Sequence, residues 1–447
     1  MTTRPAPVAL GLPLHRNRDF SLLWLGEGVS VLGNATTTVL LPLLAVVGFE
    51  AGPGWMGALT AAAWAPWLVI GLPAGAWVDR LPARRVMIAS DLVAAAFLAS
   101  VPIAWAAGVL TLPHLLLVAV GNGACTVFFR AAYPALVRSV APPHRQESAF
   151  SRLFGTEAAM QVAGPGLGGL LAQLVTAAWG LALDAASFLV SALCLWRLRL
   201  PDTRERDLPG PAPQAGEESL GTRIREGIAL IRGDRVLRFF TLLGGVSNFG
   251  LTGYGALLVL FMVRELHLGS GGVGVVMALG SVGGLVGAAV APRLSTRFGS
   301  ARALLWLQVF AGPPALLVPL ATPGAGVACI VAGVLLVGVG VVAGNVIRGA
   351  WRNRYVPPAM LARQVTTTQV VNFGTMPLAG LAAGWMGSAL GLRPTIAIMA
   401  GAHALACLAM FWSPIRGLRE LPEPATAQPS GRWTSGSTAT PRKRMPT

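Results

Sequence analysis

The stretch AGVACIVAGVLLVGVGVVAGNVI, residues 325–347, runs for 23 residues without a charge and stops at Arg348. A helix needs about 20 predominantly apolar residues to cross a hydrocarbon core of roughly 30 Å, so this stretch reads as one complete membrane span. The same reading recurs outward along the chain. Between charged or Pro/Gly-rich breaks, spans fall near residues 20–48, 55–78, 87–109, 113–137, 149–174, 178–198, 237–263, 271–291, 303–321, 325–347, 365–387 and 392–413. The composition agrees: 447 residues, 54% hydrophobic and 12% charged, with mean hydropathy +0.64. An ordinary soluble domain carries about 25% charge. The expected fold class is an all-α polytopic membrane protein with twelve transmembrane helices.

The chain carries 34 basic against 18 acidic residues, a formal net charge of +16. In a soluble protein that excess would point to nucleic acid. Its placement points elsewhere. With both termini cytoplasmic, 31 of the basic residues sit in or beside the termini and the even-numbered gaps, leaving Arg264 and Arg393 opposite and Arg130 inside the fourth span. This is the positive-inside distribution. It predicts a multi-pass protein of the cell membrane with cytoplasmic termini, the lipid bilayer as its partner and no nucleic-acid partner. The first span, lacking a short apolar core followed by a small-residue cleavage site, reads as retained.

Residues 1–19 read as a cytoplasmic N-terminus, 20–198 as one six-helix bundle and 237–413 as a second. The intervening cytoplasmic loop, 199–236, holds PDTRERDLPGPAPQAGEE (201–218) and then an amphipathic stretch suited to a membrane surface. The tail 414–447, rich in Pro, Ser, Thr and Arg, reads as disordered. The halves resemble one another. FFRAAY from Phe128 matches VIRGAW from Val346 at an offset of 218, and Pro142-Pro143 matches Pro357-Pro358 at 215. Two parallel six-helix repeats with a site near the midplane are a recurring transporter plan.

Two motifs carry mechanism. GAWVDRLPARR, Gly75–Arg85, places a small residue where helices approach. It also sets Asp79 among Arg80, Arg84 and Arg85, with Asp91 one helix turn and more beyond, a charge cluster able to latch one side of the protein. GPGLGG, Gly164–Gly169, combines a helix-bending Pro165 with Gly164, Gly168 and Gly169, and Gly155 lies upstream. The first motif resembles the loop signature of the major facilitator superfamily, with Pro82 and Ala83 where that family usually has Gly and a basic residue. The second is similar to the superfamily's antiporter motif, with Met160 at a position that is usually Gly. YPALV from Tyr133, LDAASF from Leu183 and REGIALIRGDRVLR from Arg225 bring the chain closest to the drug and siderophore exporters. The resemblance implies two six-helix pseudo-repeats, alternating access, export, no cofactor and a proton gradient as the energy source.

Acids are scarce and unevenly placed: from Leu266 to Arg419 there is no Asp or Glu, while the first six spans hold Glu27, Asp91, Glu157 and Asp184. Intramembrane carboxylates are functional candidates by default, and their charge can change with water access. Glu27 and Glu157 are the candidates for proton coupling, Glu157 also as a partner for Arg130. Asp91 and Asp184 read as ion-pair or capping groups. Polar residues on spans that the resemblance places around the cavity are Asn34, Thr38, Asn122, Thr126, Tyr133, Asn248, Thr252 and Asn345, joined by Thr368 and Asn372. With Trp, Phe, Met and Leu between them they suit a bulky amphipathic small-molecule substrate better than a sugar. Five histidines without metal-ligand spacing, no phosphate loop and no nucleophile–base pairing argue against an enzyme, a metal site or an ATP-driven pump. The expected function is proton-coupled export of a hydrophobic or amphipathic compound by a functional monomer. An importer or uniporter is the alternative.

Overall fold

A computed structural model describes residues 17–78, 80–199 and 220–423. Every regular element among them is helical: α1 (Arg18–Leu43, continued by a π-helical turn Leu44–Gly48), α2 (Pro53–Val69), α3 (Gly71–Val78), α4 (Ala83–Ala106), α5 (Leu112–Val140), α6 (Gln146–Leu174), α7 (Ala177–Trp196), α8 (Leu220–Gly233), α9 (Arg235–Arg264), α10 (Ser270–Phe298), α11 (Ser300–Ala311), α12 (Val327–Tyr355), α13 (Pro358–Leu390) and α14 (Leu392–Leu408). Eight helical segments are long and apolar enough to cross a membrane. The other four predicted spans coincide with α2 plus α3, broken at Ile70, with α6, with α11 and its 3-10 extension, and with α13. Helices are the required solution, since each backbone polar group must be satisfied within its own segment in hydrocarbon.

The duplication is legible in the backbone. Asn17 caps α1, its side chain accepting from the amides of Asp19 and Phe20, and Asp234 caps α9 in the same way. Thr176 before α7 and Gly391 before α14, 215 residues apart, share one conformation (φ 87°, ψ 153° and φ 89°, ψ 169°). Only glycine adopts it without strain.

One end of the bundle, the basic end, carries Asn17, residues 80–82 and α8; the distal end carries the 49–52, 175–176, 265–269 and 391 connections. Close packing between the halves falls toward the distal end. A Cβ built at Gly57 on α2 would lie 2.3 Å from the Gly380 carbonyl oxygen of α13, and one at Gly169 on α6 would lie 2.6 Å from the Gly274 Cα of α10. Arg264 adds hydrogen bonds to the carbonyls of Glu50 (2.7 Å) and Ala51 (3.2 Å). At the basic end α8 lies along α13, where Glu226 pairs with Arg363.

The first residues of the expected disordered tail are ordered instead. Trp351 donates to the Pro422 carbonyl (2.8 Å), and the Ser300 hydroxyl and amide donate to Glu420 (2.6 and 3.0 Å). Those two bonds hold the Glu420 carboxyl below the ordinary carboxylate range. Residues 424–447 lie outside the described residues.

Replacing Thr176 by glycine should relieve backbone strain of about 1–3 kcal/mol, less the roughly 0.5–1 kcal/mol that glycine's extra unfolded-state freedom costs. Thermal unfolding in nanodiscs should show a raised midpoint for Thr176→Gly and a lowered one for Gly391→Thr.

Candidate functional site

The charges within the spans of the first half converge. Arg130 on α5 donates two hydrogen bonds to Glu157 on α6, one from Nη1 to Oε2 at 3.4 Å and a shorter one from Nη2 to Oε1. Such a bidentate pair is the strong form of a charge-assisted bond. Glu27 on α1 lies within the electrostatic reach of Arg130, Glu157 and Asp91. It is 6% exposed, and its Oε2 has no hydrogen-bond partner. Asp91 on α4 is 1% exposed, with Ser191 as a hydroxyl partner and Oδ2 unpartnered. Glu27, Asp91 and Arg130 line one small cavity of about 40 Å³. That exceeds the roughly 10–15 Å³ needed to hold a water.

Asp91 thus differs from the sequence expectation of an ion-pair or capping group near Arg84 and Arg85. Arg84 instead closes the end of α7, its Nε donating to the Leu195 carbonyl at 2.9 Å and its Nη2 to that of Trp196, a cation set at a helix C-terminus. Asp91 faces inward to Glu27. Asp184 does keep a structural setting: Thr37 and Ser187 donate to its carboxylate, and Gly33 makes the room, since a Cβ there would lie 2.1 Å from Oδ1.

The small cavity shares two lining residues with a larger one. Asn34 and Thr126 line both it and a central cavity of about 410 Å³ between the halves. Thr38, Asn122 and Thr252 supply further polar points there among Trp64, Trp67, Met56 and Met277. Apolar walls with a few polar groups are the usual make-up of a small-molecule site. Trp64 and Trp67 pack on Phe373 of α13, at 5.7 and 5.1 Å between ring centroids, so the wall is shared by both halves.

A second cavity, of about 250 Å³, lies wholly within the second half. The predicted Asn248, Asn345, Thr368 and Asn372 line it, together with Gln308, Gln364, Arg348 and Arg352, which the sequence reading passed over. That reading ended the tenth span at residue 347, whereas α12 continues to Tyr355 and carries both arginines inward. The available signal was the repeat itself, which pairs Arg348 with Arg130.

Other predicted residues are placed differently. Tyr133 is packed in the core beside Leu136 and stacks on Phe129 rather than lining a cavity. Open space surrounds the Cβ positions of Gly75 and Gly155, so neither marks a close helix approach. Arg80 and Arg85 are exposed, and Asp79 lies outside the described residues. Gly164 and Gly168 bring α6 against α1: a Cβ at Gly164 would lie 2.3 Å from that of Ala35, and one at Gly168 would lie 2.8 Å from the Thr36 carbonyl oxygen. Gly169 and Pro165 meet Gly274 of α10, which makes this motif a junction of the two halves.

Two similar helical halves, a polar-dotted cavity between them and charges within spans are the plan of a membrane transporter. The sequence pattern of the Major Facilitator Superfamily matches residues 23–371, and the chain belongs to that family. The fold is similar to that of the nucleoside transporter NupG, with a TM-score of 0.71 at 14% identity, covering 88% of this chain and 98% of that one. It is also similar to a bacterial homologue of the iron transporter ferroportin in an inward-facing state (TM-score 0.67, 18% identity, 88% and 98% covered). A third likeness is to a bacterial homologue of the lysosomal transporter Spinster, inward-facing and unoccupied (0.65, 16%, 90% and 97%). At these identities the likeness is one of fold. No curated protein matches the sequence.

Neutralising either member of the Arg130–Glu157 pair strands the other charge. Glu157→Gln and Arg130→Gln should each cost about 1–3 kcal/mol, below the figure for a fully buried pair, because Arg130 is 38% exposed. The double variant should recover part of the loss, read as a non-additive thermal-unfolding cycle.

Proposed function

We propose that the protein is a proton-coupled exporter of a hydrophobic or amphipathic small molecule in the cell membrane. The observation that carries this reading is the sharing of Asn34 and Thr126 between the Glu27–Asp91 cavity and the central cavity. Protonation of the first can thereby be felt by an occupant of the second. Deeply buried, incompletely hydrogen-bonded carboxyls change charge state as water reaches them. Arg130 supplies a cation that Glu157 and Glu27 share. A proton arriving at Glu27 would leave Arg130 to Glu157 alone, tightening the α5–α6 pair.

The sidedness follows from charge. The basic end, placed in the cytoplasm by the positive-inside rule, leaves the glycine contacts of Gly57 and Gly169 as the extracellular seal. The conformation is then the inward-facing one, ready to load from the cytoplasm. Export is supported by the antiporter-like Gly164–Gly169 segment, which forms the α1–α6–α10 junction that rocking of the halves must open. The apolar character of the central cavity supports a bulky amphipathic solute.

Glu27→Gln should leave folding and solute exchange at equal pH intact in proteoliposomes while abolishing flux driven by a pH gradient. Asp91→Asn should weaken the same flux. Unchanged gradient-driven flux in Glu27→Gln would remove it as the coupling group, and loss of exchange as well would assign it to structure. Solute accumulation against an outward-directed rather than inward-directed driving force would make the protein an importer.

A further inference from the structure

The second half contains cations without counterions. From Arg235 to Arg419 its one acidic residue is Glu265, which lies 3.7 Å from Arg393 at the distal end. Arg348 and Arg352 line the 250 Å³ cavity, and among the described residues no carboxylate lines it with them. Arg348 Nη2 donates to Asn345 Oδ1 at 3.1 Å. Its Nη1 and the Nε of Arg352 are sealed from solvent without a partner. Two acceptors of the same cavity, Asn372 Oδ1 and Gln364 Oε1, are likewise buried and unpartnered. A guanidinium does not deprotonate in a protein, so burial cannot be relieved by neutralisation. Among the described residues no carboxylate of the cavity compensates the two cations.

The duplication gives this gap a shape. Arg348 occupies the place of Arg130 at the 218 offset, and Glu157, the partner of Arg130, corresponds to Asn372 at the 215 offset shared by Thr176 and Gly391. The second copy keeps the cation and has a neutral amide where the first has its carboxylate. Glycines hold the space open: a Cβ at Gly244 would lie 3.0 Å from Asn372 Oδ1, and one at Gly344 would lie 2.4 Å from Gln308 Nε2 and 3.2 Å from Arg348 Nη2.

We propose that this cavity binds the anionic head of an amphipathic solute, a carboxylate or a sulfur or phosphorus oxyanion, with a hydroxyl or N–H donor beside it. Arg348 and Arg352 take the anion; Asn372 and Gln364 accept from the neighbouring donor. The proposal deepens the exporter reading and rests on it for the apolar body. Residues 244, 248 and 251 of α9 line this cavity and 252, 255 and 259 line the central one. At 100° per residue these six positions fall within an arc of about 100°, one face of the helix. The head therefore sits nearer the basic end and the body extends along α9 into the central cavity.

The test uses the full chain in zwitterionic nanodiscs and four probes with one ring system: 3-hydroxy-2-naphthoate, 2-naphthoate, 2-naphthalenemethanol and (2-naphthylmethyl)trimethylammonium, titrated calorimetrically. The hydroxynaphthoate should bind at least about tenfold more tightly than the alcohol or the ammonium, a readily resolved ratio of dissociation constants, with the plain naphthoate between. Arg348→Gln and Arg352→Gln should each remove that preference, and the exposed Arg354→Gln should retain it. Asn372→Asp, which restores the missing counterion without touching an arginine, should abolish anion binding and guards against misfolding of the arginine variants. Affinity independent of the head group, or preference retained in Asn372→Asp, would overturn the proposal. Loss of naphthoate binding when anionic lipid is added would overturn it too, by assigning the site to a lipid headgroup. Glu27→Gln should retain the preference, so failure of proton coupling and failure of this site are read separately.

Discussion

A charge inside a helical bundle in hydrocarbon has to be answered by an opposite charge, a set of hydrogen bonds, or water, and this requirement orders the whole molecule. Most of the 34 basic residues avoid the cost by standing at one end of the bundle, where lipid headgroups and solvent receive them. Those that enter a span divide the molecule into unequal halves. In the first, Arg130 meets Glu157, with Glu27 and Asp91 close by. In the second, Arg348 and Arg352 line a cavity whose other polar residues among those described are amides and hydroxyls. The fold repeats, but the electrostatics do not, and the function of each half follows from that difference.

Packing between the halves obeys a related economy. Helices in membranes gain little from burying apolar side chains against each other, because lipid is as apolar as leucine, so close approach of small residues matters most. Gly57 against Gly380 and Gly384, and Gly169 against Gly274, are such approaches, and they fall toward the distal end. The GPGLGG segment therefore has a physical meaning here beyond its likeness to a motif: Gly164 and Gly168 bind α6 to α1, while Pro165 and Gly169 meet α10 of the other half.

The fold was largely legible in the sequence because spans are set by hydropathy and length, quantities that a single chain displays directly. The same rule misled at one point. It ended the tenth span at the first charge after residue 347, although α12 runs on to Tyr355, since an arginine can continue a helix when a polar cavity receives it. Nine of the ten residues expected around a cavity line one of the two larger ones, because the resemblance named the spans and their few polar residues stand out in apolar sequence. Tyr133 packs in a core cluster instead, since the span alone does not tell which way an aromatic on it faces. The inward turn of Asp91 toward Glu27 depends on how α4 is rotated against α1 and α5, and no local pattern encodes that rotation.

The absence of a carboxylate from Leu266 to Arg419 has a consequence for how the molecule responds to its two sources of energy. Each elementary charge carried across the full membrane potential is worth about 2.3 kcal/mol per 100 mV. In the first half the charge available to move depends on how many carboxyls hold a proton, so acidity sets its electrical response. In the second half the intramembrane charge resides in guanidinium groups, fixed at any physiological acidity, and only an anionic occupant can cancel it. On the exporter reading, chemical and electrical driving forces act on different halves of one rocking body, and occupancy of the second half decides how strongly the voltage pulls.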